Sequence, residues 1–288
     1  MTIKSIAGID HAVVAVKDLD AAAENWKRLG FTISPRGTHS AHMGTGNHTI
    51  MLRNDYIELL GVLNATQHNA PTRAYLEQTG GGIERIAFTT PDATAGAAEI
   101  RTMGYAAIGP TDFERPVTMP NGTKSSAKFA TFQWPVEEAP GGVRLFACQH
   151  KTRETVWIPE LQRHANTAKR IARVFIVTPE PDKNAKHLAR MIAGHAREEA
   201  DGSVVVPTEF GRAVFVFLTR DALGRKYPGV DVSRLPGTRA HGGAGLEIAV
   251  DDLAAADRAI GAKAVASSGA VVVPPAAANG VMLAFVQD

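Results

Sequence analysis

The segments I9-D-H-A-V-V-A-V16 and D55-Y-I-E-L-L-G-V62 decide the fold of this chain of 288 residues. Both consist mainly of apolar, partly β-branched residues, which predicts two buried strands. His11 lies in the first strand and Glu58 in the second, and the sequence between them has room for a helix and two further strands. An imidazole and a carboxylate on the first and last strands of one βαβββ unit can supply half of the ligands of a divalent metal ion.

The sequence between these two strands fits that unit. A repeat of 3.6 residues predicts an amphipathic helix that Asp18 or Asp20 can cap. Strands are predicted at F31-T-I-S34 and N47-H-T-I-M-L-R53, followed by a turn at Asn54–Asp55. The apolar face of the helix consists of Leu19, Ala22, Ala23, Trp26 and Leu29.

The strand, acidic residue and helix of this unit recur along the chain, which predicts four modules. H11-A-V-V-A-V-K-D-L-D-A-A22 aligns with G245-L-E-I-A-V-D-D-L-A-A-A256, and weaker copies begin at Arg85 and Arg173. The predicted fold class is therefore α/β (α+β), built from four βαβββ modules. The last strands repeat as well, as G142-V-R-L-F-A-C-Q149 and G280-V-M-L-A-F-V-Q287. The modules span residues 8–62, 83–150, 170–220 and 243–288.

Three segments without the module pattern connect the modules. The first, 63–82, contains a predicted helix at Pro71–Thr79, and the second, 150–169, contains a short one at Pro159–His164. The third, 221–242, is rich in Gly, Pro and Arg, which predicts a surface loop. Chain length favours two domains. The predicted domains are residues 1–150 and 170–288, joined by a linker at 151–169.

Composition and charge exclude several classes of protein. The net charge is +2, Lys and Arg are scattered, and 44% of residues are hydrophobic, so we expect a globular protein that binds no nucleic acid. No apolar run approaches the roughly 20 residues of a membrane span, and no signal sequence is recognisable. Cys148 is the single cysteine, which excludes an internal disulfide. We therefore expect a cytoplasmic protein with no membrane contact, and the sequence leaves its oligomeric state open.

Five sequence stretches resemble a known superfamily. They are G8-I-D-H-A-V-V-A-V-K-D-L-D-A-A-A23, L29-G-F31, G44-T-G-N-H48, Y56-I-E-L-L-G61 and F146-A-C-Q-H150. Together they resemble the vicinal oxygen chelate superfamily, and within it the glyoxalase-like proteins of bacteria. The resemblance covers residues 8–165 well and the second half only as a degenerate repeat. It implies that pairs of modules form cup-shaped sheets, in two domains of the glyoxalase/bleomycin-resistance type.

The resemblance also implies a metal site on the first and last strands of two paired modules. Position by position, its four ligands correspond to His11, Glu58, Arg85 and Gln149. Arg85 departs from the pattern, because a guanidinium group cannot ligate a metal. The implied ligands are therefore His11, Glu58 and Gln149, for a divalent ion such as Zn, Ni, Co, Mn or Fe, and Glu58 is also the implied catalytic proton carrier. The second half is predicted to lack a metal site, since its matching residues are Arg173, Gly245 and Gln287.

Several of these residues allow a second interpretation. His11 and Glu58 can form a structural ion pair instead of a functional site. Arg85 can pair with Glu58, or it can bind a carboxylate or enediolate oxygen of a substrate. Asn47, on the third strand, is a further candidate for substrate binding.

The direction of single side chains decides the remaining candidates. Gln149 and His150 are adjacent on one strand and face opposite ways, and the resemblance favours Gln149 in the cup. In the second half, Glu247 faces the same side as the missing ligand, where it can replace that ligand or pair with Arg173. We predict that residues 8–150 carry the activity and that residues 170–288 carry none.

Three functions remain open for a small-molecule ligand. The first is a metal-dependent lyase or isomerase that acts on a substrate with vicinal oxygens and stabilises an enediolate. The second is a metal-free protein that binds or sequesters an aromatic or anionic small molecule, with Arg85 and Glu58 as polar anchors. An extradiol ring-cleaving dioxygenase fits less well, because the second half lacks the iron ligands that such enzymes use. The fold alone does not decide among them.

Overall fold

The computed structural model describes residues 5–209, 211–267 and 269–288, which form two eight-stranded sheets. The helices of the first half are α1 (Leu19–Lys27), α2 (Ala70–Thr79) and α3 (Ala93–Thr102). The first sheet contains β1 (Ile9–Val16), β2 (Gly37–Thr38), β3 (Thr45–Met51), β4 (Tyr56–Val62), β5 (Gly82–Thr89), β6 (Ile108–Thr118), β7 (Lys124–Gln133) and β8 (Arg144–His150).

The second half repeats this arrangement. Its helices are α4 (Pro181–Met191), α5 (Arg220–Lys226) and α6 (Leu253–Ile260). The second sheet contains β9 (Ala168–Val177), β10 (Arg197–Glu198), β11 (Val204–Val206), β12 (Val214–Leu218), β13 (Gly242–Val250), β14 (Val265–Ser267), β15 (Ala270–Val273) and β16 (Met282–Gln287).

Both sheets have the same strand order, which confirms the α/β fold class of four βαβββ modules. The orders are β2-β3-β4-β1-β5-β8-β7-β6 and β10-β11-β12-β9-β13-β16-β15-β14. In each module the first and last strands are parallel neighbours, and the first strands of two paired modules meet antiparallel, as β1 and β5 do. This topology places the strands of His11 and Glu58 side by side: His11 is opposite Tyr56, and Val13 is opposite Glu58.

Helix α1 shows how the sequence covers the sheet. Asp18 accepts a hydrogen bond from the backbone N–H of Ala21 at 2.9 Å and so caps the helix. Trp26 is fully buried, and its indole N–H donates to Asn279 of the second half at 3.1 Å. The helix therefore packs on the first sheet and also contacts the second half.

The strand predicted at residues 31–34 is wrong. No strand forms there, and β2 is a two-residue strand further along the chain. Phe31 instead packs into the core, with its ring centroid 5.5 Å from that of Trp26 and 5.9 Å from that of Phe285 in the second half. Burial of this ring between the two halves outweighs the local preference for a strand.

The surface loop predicted at residues 221–242 is wrong for the start of this segment and for its buried apolar residues. Helix α5 covers the start of this segment, with Thr219 as its N-cap. Leu223 and Tyr227 are one helical turn apart and are both buried, as is Leu235. They pack on one face of the second sheet, in a cluster that includes Phe175. The apolar spacing of one helical turn is a better guide here than the Gly, Pro and Arg content.

The two sheets share one hydrophobic core. It includes Trp26 and Phe88 from the first half and Phe215 and Phe285 from the second. The rings of Phe88 and Phe215 contact each other with centroids 5.9 Å apart. The division into domains at residues 151–169 stays a prediction. Among the described helices, none combines the length and apolar character that crossing a membrane requires.

Candidate functional site in the first cup

The first cup is the face of the first sheet that carries His11 and Glu58. The sheet curls until its edges approach each other, since a Cβ atom added to Gly37 on β2 would lie 3.3 Å from Arg115 Nη1 on β6. Apolar side chains form much of the wall. They are Met51, Tyr56, Ala127, Phe129, Cys148 and Val156, with Phe113, Val117, Phe146, Trp157 and Leu161 packed against them.

Asp10 contacts His11 from the neighbouring position, which simple strand alternation does not predict. The pairing of β1 with β5 is irregular between Ile9 and His11, so Asp10 is an extra residue of the kind found in a β-bulge. Asp10 Oδ1 lies 2.7 Å from His11 Nδ1 and 2.9 Å from His150 Nε2. Its Oδ2 accepts a hydrogen bond from Thr89 Oγ1 at 2.9 Å. The carboxylate is thus the centre of a network of three side chains.

The charge of Asp10 fixes the protons of this network. Burial alone would raise the pKa of its carboxyl, but attraction to His150 and hydrogen bonds from His11 and His150 hold that pKa far below its usual range. An ionised carboxylate only accepts hydrogen bonds, so His11 Nδ1 and His150 Nε2 each carry a proton. Tyr56 stacks on the His11 ring with centroids 4.2 Å apart, and Phe146 meets it edge-on at 5.3 Å. His11 therefore presents Nε2 in a fixed direction.

Glu58 faces this nitrogen across the cup. Its Oε2 lies 3.6 Å from His11 Nε2, and its Oε1 accepts a hydrogen bond from Asn47 Nδ2 at 2.6 Å. Burial would raise the pKa of Glu58, but attraction to His11 and His39 and the bond from Asn47 lower it below its usual value. The side chain is 12% exposed, so an ionised carboxylate is accessible from solvent. His11, Glu58 and Asn47 therefore meet in the first cup.

Two arginines share a buried carboxylate at one side of the cup. Arg85 donates from Nε to Glu84 Oε2 at 2.7 Å and from Nη2 to Thr72 Oγ1 at 3.0 Å. Arg144 pairs with the other oxygen of Glu84. The ion-pair partner of Arg85 is therefore Glu84 rather than Glu58. This arrangement leaves N–H groups of Arg85 available, and 22% of its side chain is exposed.

A third arginine, Arg115, reaches the cup from the edge strand β6. Its guanidinium lies beside β2, close enough that a side chain at Gly37 would contact it. Its charge adds to the effect of burial in lowering the pKa of His39, so it lies near that ring. Among the described residues its guanidinium has no hydrogen-bond or ion-pair partner. A half-buried guanidinium without a partner is available to an anionic ligand.

Comparison with known proteins identifies the family. A family model described as a glyoxalase-like domain matches residues 9–192, more than half of the chain. The chain belongs to this glyoxalase-like family. Its fold is that of the vicinal oxygen chelate superfamily, as the sequence predicts.

Solved structures agree with this assignment. A hypothetical protein from Staphylococcus aureus is similar with a TM-score of 0.69 and 14% identity, over 97% of this chain and 99% of that chain. A variant of 4-hydroxymandelate synthase from Streptomyces coelicolor is similar with a TM-score of 0.64 and 13% identity, over 98% of this chain and 93% of that chain. At these identities the similarity shows the fold alone. No curated protein matches the sequence.

The superfamily pattern implies metal ligands at four positions. In this glyoxalase-like protein only two of these positions hold residues that can bind a metal. His11 Nε2 and Glu58 Oε2 are 3.6 Å apart, which suits one ion, because ligand atoms about 2.1 Å from a tetrahedral ion lie roughly 3.4 Å from each other. The third position is Arg85, which cannot ligate. The register of β5 and β8 places Phe146 where β1 and β4 place Glu58, so the fourth position is apolar. The residues present do not fit a four-ligand metal site.

Gln149, predicted as a metal ligand, lies outside the cup. Its Oε1 accepts a hydrogen bond from the backbone N–H of Ala93, the first residue of α3, at 3.1 Å. Gln287 bonds in the same way to Leu253 at the start of α6, also at 3.1 Å. The repeated glutamine therefore binds the N-terminus of the helix of its module. His150, predicted to face away from the cup, is the residue that enters it, so the predicted directions are reversed.

Asp10, Cys148 and His150 form a second group of potential ligands, with their ligand atoms within 4.8 Å of one another. Burial raises the pKa of the Cys148 thiol well above its usual value, and the nearby carboxylates of Asp10 and Glu58 add to this effect. The thiolate that a metal requires is therefore disfavoured. Asp10 also accepts hydrogen bonds from three side chains already. We therefore assign this group to the hydrogen-bond network.

The matching cup of the second sheet is filled by its own chain. Arg173 pairs with Glu247 at 3.2 Å and with Glu199 at 3.1 Å, and the Tyr227 hydroxyl donates to Glu247 at 3.0 Å. The buried residues of the segment after β12, including Leu223, cover the rest of this face. Glu247 is therefore the ion-pair partner of Arg173, which is one of the two predicted alternatives.

Proposed function

We propose that this glyoxalase-like protein is a lyase or isomerase that moves a proton on a small anionic substrate in the first cup. The observation that supports it is the alignment of three side chains, in which Asp10 holds His11 and His11 Nε2 faces Glu58 Oε2 at 3.6 Å. A fixed imidazole beside an accessible carboxylate suits general acid–base catalysis. His11 and Glu58 transfer the proton, and Asn47 orients the Glu58 carboxylate.

The charge and the wall of the cup support an anionic substrate. Arg85 and Arg115 offer planar N–H groups that suit a carboxylate, or the oxygen that becomes negative when a neighbouring C–H bond is broken. Phe113 and Phe146 lie partly exposed on the wall and suit an apolar substituent.

Exchange of substrate protons with solvent tests this proposal. In D2O the protein is expected to accelerate loss of the α-proton signal, followed by 1H NMR, from at least one of a panel of 2-oxo acids and 2-hydroxy acids. His11→Ala and Glu58→Gln are each expected to lower the rate about 100-fold, because each removes a proton-transfer group. Glu58→Gln is expected to keep the melting temperature nearly unchanged, because glutamine keeps the shape of the side chain and can still accept the bond from Asn47. His11→Ala is expected to lower the melting temperature, because it removes a hydrogen-bond donor from the buried Asp10 carboxylate.

Glu247→Gln is the matched control, because Glu247 is the corresponding acid of the second cup. This change is expected to leave the exchange rate as it is, since we propose that residues 8–150 carry the activity. Loss of exchange in Glu247→Gln with full exchange in Glu58→Gln would move the activity to the second half. Binding of a probe without any exchange would favour a metal-free binding protein over an enzyme.

A divalent-metal-dependent lyase or isomerase is a second candidate, favoured by the separation of 3.6 Å between His11 Nε2 and Glu58 Oε2. Metal analysis of protein purified without a chelator or an affinity tag separates the two candidates. A stoichiometric metal that His11→Ala removes would establish the metal-dependent form. Exchange that persists in EDTA, with no bound metal, would support proton transfer by side chains alone.

A further inference from the structure

We propose that Arg212, from the second half of the chain, is a positioning residue for His11 in the first cup. The inference rests on the proposed function, because it assigns a role toward the same imidazole. Arg212 lies between β11 and β12 and extends its side chain to the end of β5 in the first sheet. The first cup would then depend on a residue that neither the module repeat nor the superfamily pattern indicates.

An unbroken series of short hydrogen bonds joins Arg212 to His11. Arg212 Nη2 donates to Thr89 Oγ1 at 2.6 Å. Thr89 Oγ1 donates to Asp10 Oδ2 at 2.9 Å, and Asp10 Oδ1 lies 2.7 Å from His11 Nδ1. The two groups between them, Thr89 and Asp10, are side chains of the first half. Arg212 therefore reaches His11 through side-chain hydrogen bonds.

The chemistry of these groups fixes which group donates and which accepts in each hydrogen bond of the series. A guanidinium group only donates, and the Thr89 hydroxyl has a single proton. Because Arg212 occupies a lone pair of that hydroxyl, the proton of Thr89 points at Asp10. The ionised carboxylate of Asp10 then accepts on both oxygens, which keeps a proton on His11 Nδ1 and leaves Nε2 for the cup.

The residues around Arg212 leave space for its side chain and hold its guanidinium in place. A Cβ atom at Gly8 would lie 2.5 Å from Arg212 Cγ, so any other residue there would displace the arginine. Arg212 Nη1 donates to the backbone oxygen of Asn54 at 2.6 Å, which fixes the other side of the guanidinium. Among the residues that the structure describes, its buried Nε has no hydrogen-bond partner.

This role changes the prediction that residues 170–288 carry no activity: they would hold no active site of their own but would supply one residue that supports the site of the first half. The second half has its own cup filled, yet it supplies one cation to the network behind His11. Removal of Arg212 or of the Thr89 hydroxyl is then expected to slow proton transfer without weakening substrate binding, because neither group is among the residues proposed to bind the substrate.

The test uses the full chain with a pair of variants at Thr89 and one at Arg212. Thr89→Val removes the hydroxyl and keeps the shape, whereas Thr89→Ser keeps the hydroxyl. Thr89→Val and Arg212→Gln are each expected to lower kcat for α-proton exchange about tenfold, with KM within about twofold of its original value. Thr89→Ser is expected to retain the original rate.

Two controls isolate the effect of the network. Thr90→Val removes a buried hydroxyl that donates only to the backbone of Asp92, and Arg220→Gln removes a half-buried arginine that donates to backbone oxygens within the second half. Both are expected to leave kcat and KM unchanged. Equal losses of kcat in these controls would show a general effect of stability and would overturn the proposal.

A second readout keeps the proposal testable if no substrate of the panel reacts. The ring N–H resonance of His11, assigned in 1H NMR by its disappearance in His11→Ala, reports the bond to Asp10 directly. Thr89→Val and Arg212→Gln are expected to shift or broaden this resonance, and Thr89→Ser is expected to restore it. An unchanged resonance in both Thr89→Val and Arg212→Gln would overturn the positioning role, whatever the outcome for the proposed function.

Discussion

Replacing Glu84 with Gln is expected to lower the free energy of unfolding by about 3–5 kcal/mol. The Glu84 side chain is 1% exposed and pairs with Arg85 at 2.7 Å and with Arg144. It also accepts a hydrogen bond from the Thr72 hydroxyl at 3.0 Å. Loss of its charge would leave two half-buried guanidinium groups without an anion, and the cost comes mainly from those unpaired charges.

Chemical denaturation of the two proteins at neutral pH measures this difference. Glu114→Gln is the matched control, because Glu114 is 62% exposed and lies 3.8 Å from Lys128. An exposed pair of this kind contributes about 0–1 kcal/mol. If Glu84→Gln costs no more than Glu114→Gln, the ion pairs of Glu84 do not hold the arginines of the cup. Another contact would then have to hold the Arg85 side chain in its orientation toward a substrate.

The sequence predicts the fold well because the module repeat depends on local patterns. Alternating strands, helix faces and turn residues are set by neighbours in the chain. The predicted helix at Pro71–Thr79 is α2, and the predicted turn at Asn54–Asp55 joins β3 to β4. The short helix predicted at Pro159–His164 is a 3-10 helix, Pro159–Gln162. The strand predicted at residues 31–34 is wrong because Phe31 packs against residues in the second half of the chain, which a local pattern does not reveal.

The candidate site is only partly predictable because it depends on strand register. His11 and Glu58 follow from alternation, but Asp10 reaches His11 through a bulge that the apolar pattern does not reveal. One signal for Asp10 exists in the sequence, since an acid in an apolar strand is seldom buried without a partner. The same signal applies to Glu84 beside Arg85. Gln149 as a ligand follows from the resemblance to the superfamily, and matching a sequence pattern position by position does not show which face of the sheet a residue occupies.

Asp55 is expected to give the chain an unusual dependence of stability on pH. It lies buried in the turn between β3 and β4, and its Oδ1 accepts a hydrogen bond from the backbone N–H of Ile171 in the second half at 3.1 Å. Burial raises the pKa of Asp55 to about 7, and the bond from Ile171 and the attraction to Arg212 oppose this only in part. The carboxyl is therefore neutral in the folded protein below that pH.

The sign of the effect follows from the protons bound by each state. Between the ordinary value of 3.8 and about 7, the folded state keeps a proton on Asp55 that the unfolded state has released. The state that binds more protons is favoured at low pH, so the contribution of Asp55 to stability falls as pH rises through this window. The slope approaches about 1.4 kcal/mol per pH unit, which gives a total of roughly 4 kcal/mol over the whole window.

Asp55→Asn isolates this contribution, because the amide oxygen of Asn can still accept the bond from Ile171 and carries no titrating proton. We expect the free energy of unfolding of the original protein, relative to Asp55→Asn, to decrease steadily from about pH 4.5 to about pH 7. Urea denaturation of both proteins across this range measures the difference. Taking the difference cancels the pH dependence that other carboxylates, such as Asp10, give to both proteins. Asp257→Asn, at an exposed position of α6, controls for the loss of one acidic side chain. A difference that does not change with pH would mean that Asp55 is ionised in the folded protein, with Arg212 neutralising it across the boundary between the halves.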